Sequence, residues 1–215
     1  MPEFPVDVDV VTPEFNRFLR AEERAGRYPG VVAPLAAGEV AQPVVLRPEQ
    51  AGELMGAAAR LAVGLFRPTQ RTEAVWVRGE SQLAVGLTGI RVTTQEGLLG
   101  VVLPVRCDQT GRAEVTVTFA VGSDKQPAGL FAAAHRRPTG PELVVRAWGE
   151  NLVAFAWQCL LGLVSGVSGA VGKDGRGNLL VPAEVVANAD GLRIVPMARH
   201  RFTGSSGLAT GREQR

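Results

Sequence analysis

Residues 98–121 read LLGVVLPVRCDQTGRAEVTVTFAV, two apolar runs joined by the turn sequence DQTG. In the second run Val115, Val117, Phe119 and Val121 alternate with polar residues, the period of a strand with one buried and one solvated face. The first run is apolar on both sides, so we expect a helix to cover one face and a partner chain or an arm of this chain to cover the other. The stretch therefore predicts an antiparallel hairpin inside a sheet.

Strand periodicity continues on both sides of this hairpin. Upstream, EAVWVRG and SQLAVGLTGIRVTTQ are separated by a Gly-Glu turn, and QPVVLRP predicts a strand that ends at Pro48. Downstream, LVVRAW (143–148) predicts a further strand, and NLLVPAEVVA and GLRIVPM predict a closing hairpin around Ala-Asp-Gly. Together these runs predict a mainly antiparallel sheet, a meander of about four to six strands.

Two segments have helical periodicity, about 48–66 and about 150–172. The first begins with Pro48 and Glu49, which suit the first turn of a helix. Its apolar positions recur every three or four residues, as a core-facing helix requires. We predict an α+β fold in which both helices lie on one face of the antiparallel sheet.

The second helix contains GLVSGVSGAVG at 162–172, and residues 152–172 carry no charge. About 20 apolar residues can span a bilayer, but no aromatic belt or basic cluster bounds the segment. At helical spacing Gly162, Ser165, Gly169 and Gly172 share one flat, small-residue face. This pattern favours a buried or interface helix over a membrane span, packed against this chain or another one. Membrane association stays a lesser alternative.

Residues 1–30 are rich in proline and charge and predict an N-terminal arm. Within it, residues 13–26 can form a short helix with Phe15, Phe18 and Leu19 on one face, at i, i+3, i+4 spacing. These apolar side chains are candidate interface residues, because the arm is too polar to form a core of its own.

Residues 31–203 are predicted to form a single α+β domain, and residues 204–215 have the composition of a flexible tail. The N-terminus carries acids and prolines before any basic residue, unlike a secretory signal. Only Cys107 and Cys159 occur, in no disulfide or metal-ligand pattern. A cytoplasmic location, or assembly of a particle in the cytoplasm, fits these features.

No catalytic signature is evident. The glycines before Lys173 have the wrong spacing for a phosphate-binding loop, and the chain lacks a Gly-x-Ser-x-Gly elbow and any zinc or calcium motif. We predict an inert core thiol at Cys159, and a pKa of Cys107 raised by its neighbour Asp108. The sequence predicts no cofactor and no metal, and the question of an enzyme stays open with a preference for none.

The loop 122–141 is the candidate site for an anionic ligand, through Lys125, His135, Arg136 and Arg137. Arginine side chains suit phosphate or carboxylate because their N–H groups form a planar fork.

Two short motifs place arginine beside tryptophan, Trp76-Val77-Arg78 and Arg146-Ala147-Trp148. Each can form a cation–π pair or a core pair. Base-stacking sheets would interleave aromatic and basic residues more extensively. With 23 Lys and Arg against 21 Asp and Glu, the net charge is only +2, which disfavours nucleic-acid binding.

The preferred hypothesis is a non-enzymatic structural or interaction protein that self-associates or joins a larger protein assembly, of the virion, tail or secretion-complex kind. The alternative is a binder of a small anionic ligand, or an enzyme of a family that the residues do not reveal. Nucleic-acid binding and membrane association are lesser alternatives.

Overall fold

The computed structural model describes residues 42–65, 72–127 and 136–198. They form two helices, α1 (Pro48–Ala62) and α2 (Glu142–Val171). The strands are β1 (Val44–Leu46), β2 (Glu73–Arg78), β3 (Ser81–Gly86), β4 (Arg91–Gln95), β5 (Leu98–Cys107), β6 (Gly111–Ala120), β7 (Val181–Asn188) and β8 (Gly191–Met197). All pairings between these named strands are antiparallel, which confirms the predicted α+β class. The predicted N-terminal arm and C-terminal tail lie outside the described residues.

Strand β5 is the central strand of a five-stranded sheet and forms a hairpin with β6, which pairs with no other named strand. The two strands pair from Leu98 with Ala120 to Cys107 with Gly111. The other edge of β5 is shared, because β3 pairs with its C-terminal end and β4 with its N-terminal half. The run predicted as one strand, residues 81–95, is therefore two strands along the same edge, interrupted at 87–90.

The outer face of β5 is crossed by an ion pair of the chain itself. Arg91 of β4 donates to Glu114 of β6 at 2.7 Å, and these strands flank β5 on opposite sides. Val102 of β5, which lies opposite Arg91, is only 7% exposed. The sequence predicts a partner or an arm over this face; within the described ranges, side chains of the neighbouring strands supply part of the cover.

A second sheet has the order β1-β8-β7 and is hydrogen-bonded to one end of the first. The Gly97 N–H donates to the Ala187 carbonyl at 3.0 Å, and the Gly122 N–H donates to Val185 at 2.8 Å. Helices α1 and α2 pack against each other, α1 also against β4 and α2 against β7 and β8. Buried side chains from both helices and both sheets form one hydrophobic core.

Helix α2 begins at Glu142, eight residues before the predicted start. The prediction of a strand at 143–148 is wrong, because these residues form the first turns of the helix. A six-residue apolar run fits either structure, and here the downstream residues favour the helix. The buried positions Val144, Trp148, Leu152, Phe155 and Cys159 continue at spacings of three and four along α2.

Helix α2 has the length and the apolar composition of a membrane span, with a mean hydropathy of 1.6 over its most apolar 18 residues. However, 67% of that window is buried inside the domain, which fits a core helix. On the small-residue face, Gly162 and Gly169 are buried, whereas Ser165 and Gly172 are partly exposed.

We expect alanine substitutions at two helical glycines to change the stability of the fold in opposite directions. A Cβ at Gly149 of α2 would lie 3.7 Å from the Val145 side chain, an ordinary contact, so Gly149→Ala should stabilise the fold by up to about 1 kcal/mol. A Cβ at Gly52 of α1 would lie 3.0 Å from the Ile90 carbonyl oxygen, which is backbone. We expect Gly52→Ala to lower the free energy of unfolding, as measured in urea. Equal shifts for both variants would contradict this account.

Candidate functional site: a groove beside the long helix

An open groove of about 620 Å³ runs along the outer side of the N-terminal half of α2. We call it the arginine groove. Its described lining residues come from the end of β2, from the segment before α2 and from α2 itself: Arg78, Arg137, Pro138, Val145, Arg146, Ala147, Gly149, Glu150, Asn151, Val153, Ala154 and Trp157. Its volume lies in the range of about 300–1,000 Å³ that is typical of ligand sites.

Arg78 is held firmly at one wall of the groove. Its Nη1 donates to the Ala147 carbonyl at 2.7 Å, and its Nη2 donates to Asn151 Oδ1 at 2.8 Å. The guanidinium carbon lies 4.9 Å from the centre of the Trp148 ring, in cation–π contact. Both hydrogen-bond acceptors are neutral, so the guanidinium is oriented without its charge being neutralised.

An aromatic cluster beneath Arg78 joins β2 to α2. Trp76 lies 6.4 Å from Trp148 and 5.5 Å from Phe155 between ring centres, the second pair edge to face. The two arginine–tryptophan motifs of the sequence are thus connected across the fold, because Arg78 of one stacks on Trp148 of the other. The sequence suggests pairs within each motif, and the actual partners are about seventy residues apart.

The third arginine is placed by the segment 136–140, which runs beside β6. Thr139 and Thr116 exchange two backbone hydrogen bonds of 2.8 and 3.0 Å. The approach is close at Gly140, where a Cβ would lie 2.9 Å from the Glu114 carbonyl oxygen. This pairing carries Arg137 to the groove, where it lies 3.8 Å from the exposed carboxylate of Glu142.

The arginine groove carries more positive than negative charge. Three arginines and one carboxylate, that of Glu150, line its described part. Some other arginines of the fold have close carboxylate partners, as Arg193 has in Asp124 at 3.2 Å. Arg78 and Arg146 have none among the residues that the structure describes.

A second hollow, of about 500 Å³, lies on the outer face of the five-stranded sheet. Most of its charged groups are already paired. Arg106 donates to Glu73 at 2.7 Å, and this hydrogen bond lowers the pKa of the Glu73 carboxyl. Glu114 is bound by Arg91. These ion pairs make the second hollow a weaker candidate for a charged ligand than the arginine groove.

Of the four predicted anion-site residues, Lys125, Arg136 and Arg137 lie in the described ranges. Lys125 lies in the turn Ser123–Gln126 after β6, and Arg136 is exposed at the start of the segment 136–140. Only Arg137 lines the arginine groove, and His135 lies outside the described residues. The site over all four residues stays a prediction.

The predicted interface residues also lie partly inside and partly outside the described ranges. Phe15, Phe18 and Leu19 fall in the part of the chain that the structure does not describe. Gly162, Ser165, Gly169 and Gly172 of α2 are not among the described lining residues of the arginine groove, which lies nearer the start of the helix. Sequence reasoning misses Arg78 and Arg146 as site residues, although their tryptophan neighbours are a visible signal.

The pKa of the Cys107 thiol is lowered, contrary to the prediction from Asp108. Burial acts to raise it, and Asp108 does so too. Hydrogen bonds with the Thr110 hydroxyl, 3.0 Å away, and with the Thr110 and Gln109 backbone outweigh both. Cys159 is fully buried in α2, and burial raises the pKa of its thiol.

These environments predict selective thiol labelling. In the native protein at pH 8, Ellman's reagent should react with Cys107, whereas Cys159 should react only after unfolding in guanidinium. The Cys107→Ser variant should then give no native reaction. Native labelling of Cys159 at the rate of Cys107 would contradict the burial of the α2 thiol.

Among the described residues, no group of three or more histidine, cysteine or acidic side chains is arranged to hold a metal ion. The chain matches no protein-family model, no curated protein and no solved structure, so its fold and the arginine groove alone carry a proposal for its function.

Proposed function

We propose that this chain is a non-enzymatic interaction protein, a subunit of a larger protein assembly, that docks a partner chain in the arginine groove. The observation that carries the proposal is Arg78, a guanidinium fixed by Ala147, Asn151 and Trp148 with its charge unpaired among the described residues. Because the side chain is already ordered, binding an anionic group there costs less conformational entropy.

The composition of the groove favours binding over bond-making chemistry. No hydroxyl, thiol or imidazole is found among its described lining residues. Nucleophilic catalysis needs such a group with a base in hydrogen-bond reach. Val153, Ala154 and Trp157 instead provide an apolar wall, as protein-docking grooves do.

Strand β2 offers a second feature that suits an assembly subunit. It lies at the end of the five-stranded sheet, and no strand of the described ranges pairs with its outer edge. Val75 and Val77, on the face of β2 opposite the buried Ala74 and Trp76, are 48% and 62% exposed. Natural sheets usually protect such edges with charges, proline or bulges, so an exposed apolar edge supports association with other chains.

The proposal can be tested by native mass. The tagged chain, purified gently from its own host, should elute in a complex heavier than a single chain. Ala154→Phe, which fills the groove without changing charge, should release the single chain. Ala183→Phe, at a partly exposed bulge of β7, is the matched control and should leave the complex intact. A wild-type protein that is a lone chain under all conditions, or a complex indifferent to Ala154→Phe, would overturn the proposal.

A small anionic ligand is the second candidate, because the groove volume and the Arg78 fork also suit one. A thermal-shift screen with nucleotides and acidic metabolites tests it. A ligand at about 100 times its Kd should stabilise the fold by about 2.7 kcal/mol. No shift with any compound would count against this candidate.

A further inference from the structure

We infer that the occupant of the arginine groove is an acidic segment of a protein chain, with a side-chain carboxylate bound to Arg78 and neighbouring apolar side chains against α2. This inference rests on the proposed function and adds the chemistry of the partner. It joins three features of the groove: the anchored arginine, the excess of positive charge and the apolar wall.

The donors of Arg78 leave room for a carboxylate. A guanidinium has five N–H groups, and the contacts with Ala147 and Asn151 use two of them. The remaining groups can bind an anion, and arginine binds carboxylates through paired N–H···O bonds. Arg91 and Arg106 each bind a carboxylate within this chain at 2.7 Å. Arg78 presents the same chemistry with no carboxylate partner in the described part of the fold.

The charges around Arg78 favour an acidic ligand. Arg146 is the residue before Ala147, whose carbonyl accepts from Arg78. Within the described ranges, the Arg146 side chain makes no hydrogen bond or ion pair. Arg137 lies across from α2, with only a loose contact to Glu142. Glu150 is the one carboxylate among the described lining residues, so a segment with several carboxylates gains net attraction.

The apolar wall distinguishes a peptide from a free anion. Val153 and Trp157 are partly buried against the core, Trp157 with its ring 5.7 Å from Phe119, and both line the groove. Phosphate or acetate would contact the arginines and leave this surface in water. A segment in which acidic and apolar residues alternate can use both, because alternate side chains of an extended chain point to opposite sides.

The test uses the full chain and a fluorescein-labelled, end-blocked peptide that repeats Glu-Leu three times, with a Gln-Leu peptide as its uncharged match. Fluorescence anisotropy should show that the Glu-Leu peptide binds. The affinity of the Gln-Leu peptide should be lower by about tenfold or more. Binding should weaken between 50 and 200 mM salt, as expected for partly screened charges. Equal binding of the two peptides, or none of either, would overturn the inference.

Variants locate the site. Arg78→Gln and Arg78→Lys should each weaken binding about tenfold or more, because lysine keeps the charge but not the fork. Arg146→Gln should weaken it as well, and serves as the second variant because its side chain supports no contact of the described fold. Arg112→Gln, an exposed arginine of the sheet hollow, should leave binding unchanged. Equal effects of Arg112→Gln and Arg146→Gln would overturn the inference.

Two further probes separate the sources of the anion. Inorganic phosphate that stabilises the fold as much as the peptide at equal concentration would assign the groove to a free anion. A ten-nucleotide thymidine strand that binds more tightly than the peptide would assign it to nucleic acid. If the native complex forms and depends on Ala154 while the peptide does not bind, the inference fails and the proposed function stands. If the peptide binds but the host protein is a lone chain, the groove does take an acidic segment and the proposed role in an assembly fails.

Discussion

Replacing Gly191 by alanine is expected to lower the free energy of unfolding by about 3 kcal/mol or more. Gly191 begins β8 with a φ of +144°, a conformation that residues with a side chain rarely adopt. A Cβ there would also collide with the carbonyl oxygen of Leu46 in β1. Relief would require a shift of β1, which pairs with β8 through Leu46 and Leu192. Urea unfolding measures the loss, and the melting temperature should fall by about 6 °C or more.

Gly64→Ala is the matched control for this variant. Gly64 lies just after α1 with a φ of +77°, and nothing lies within 4 Å of a Cβ built on it. The change there should cost only the conformational strain, about 1–2 kcal/mol. The difference between the variants therefore measures the collision with Leu46. Equal losses at Gly64 and Gly191 would show that β1 can move aside at no cost.

The β5–β6 hairpin can be predicted because one face of β6 alternates cleanly and a turn sequence separates the runs. One face of β6 is buried and the other is more exposed to solvent, so apolar and polar residues alternate along its sequence. The start of α2 cannot be predicted in this way. Residues 143–148 place apolar side chains at buried positions (Val144, Val145, Trp148) and at exposed ones (Leu143, Ala147), so the run carries no period that separates helix from strand.

The arginine groove is beyond sequence reasoning for a different reason. Arg78 and its acceptors Ala147 and Asn151 are separated by 69 and 73 residues. No local pattern links positions so far apart, and the contact exists only because the aromatic cluster holds β2 against α2. The one signal in the sequence is the tryptophan near each arginine, because an aromatic ring often makes a cation–π contact with a guanidinium. From the described part of the predicted anion loop, Arg137 and Pro138 contribute to the lining.

Phe119→Ala is expected to lower the free energy of unfolding by about 3–5 kcal/mol, because it leaves a cavity under the helix. Phe119 is fully buried in β6, with its ring centre 5.7 Å from that of Trp157 in α2. The loss is large against a total stability of about 5–15 kcal/mol. Urea unfolding measures it, and Phe119→Leu, which fills more of the space, should lose clearly less.

The same variant should also weaken the arginine groove, because Phe119 supports the apolar wall from below. With the phenyl ring removed, Trp157 can settle toward the core, and the Glu-Leu peptide should then bind less tightly under conditions in which the variant stays folded. Leu103→Ala is the control: it makes a buried cavity in β5, with a stability loss of about 2–5 kcal/mol. That variant should leave peptide affinity near the wild-type value. If both variants weakened binding equally, the effect would come from stability alone, and Phe119 would have no particular part in shaping the groove.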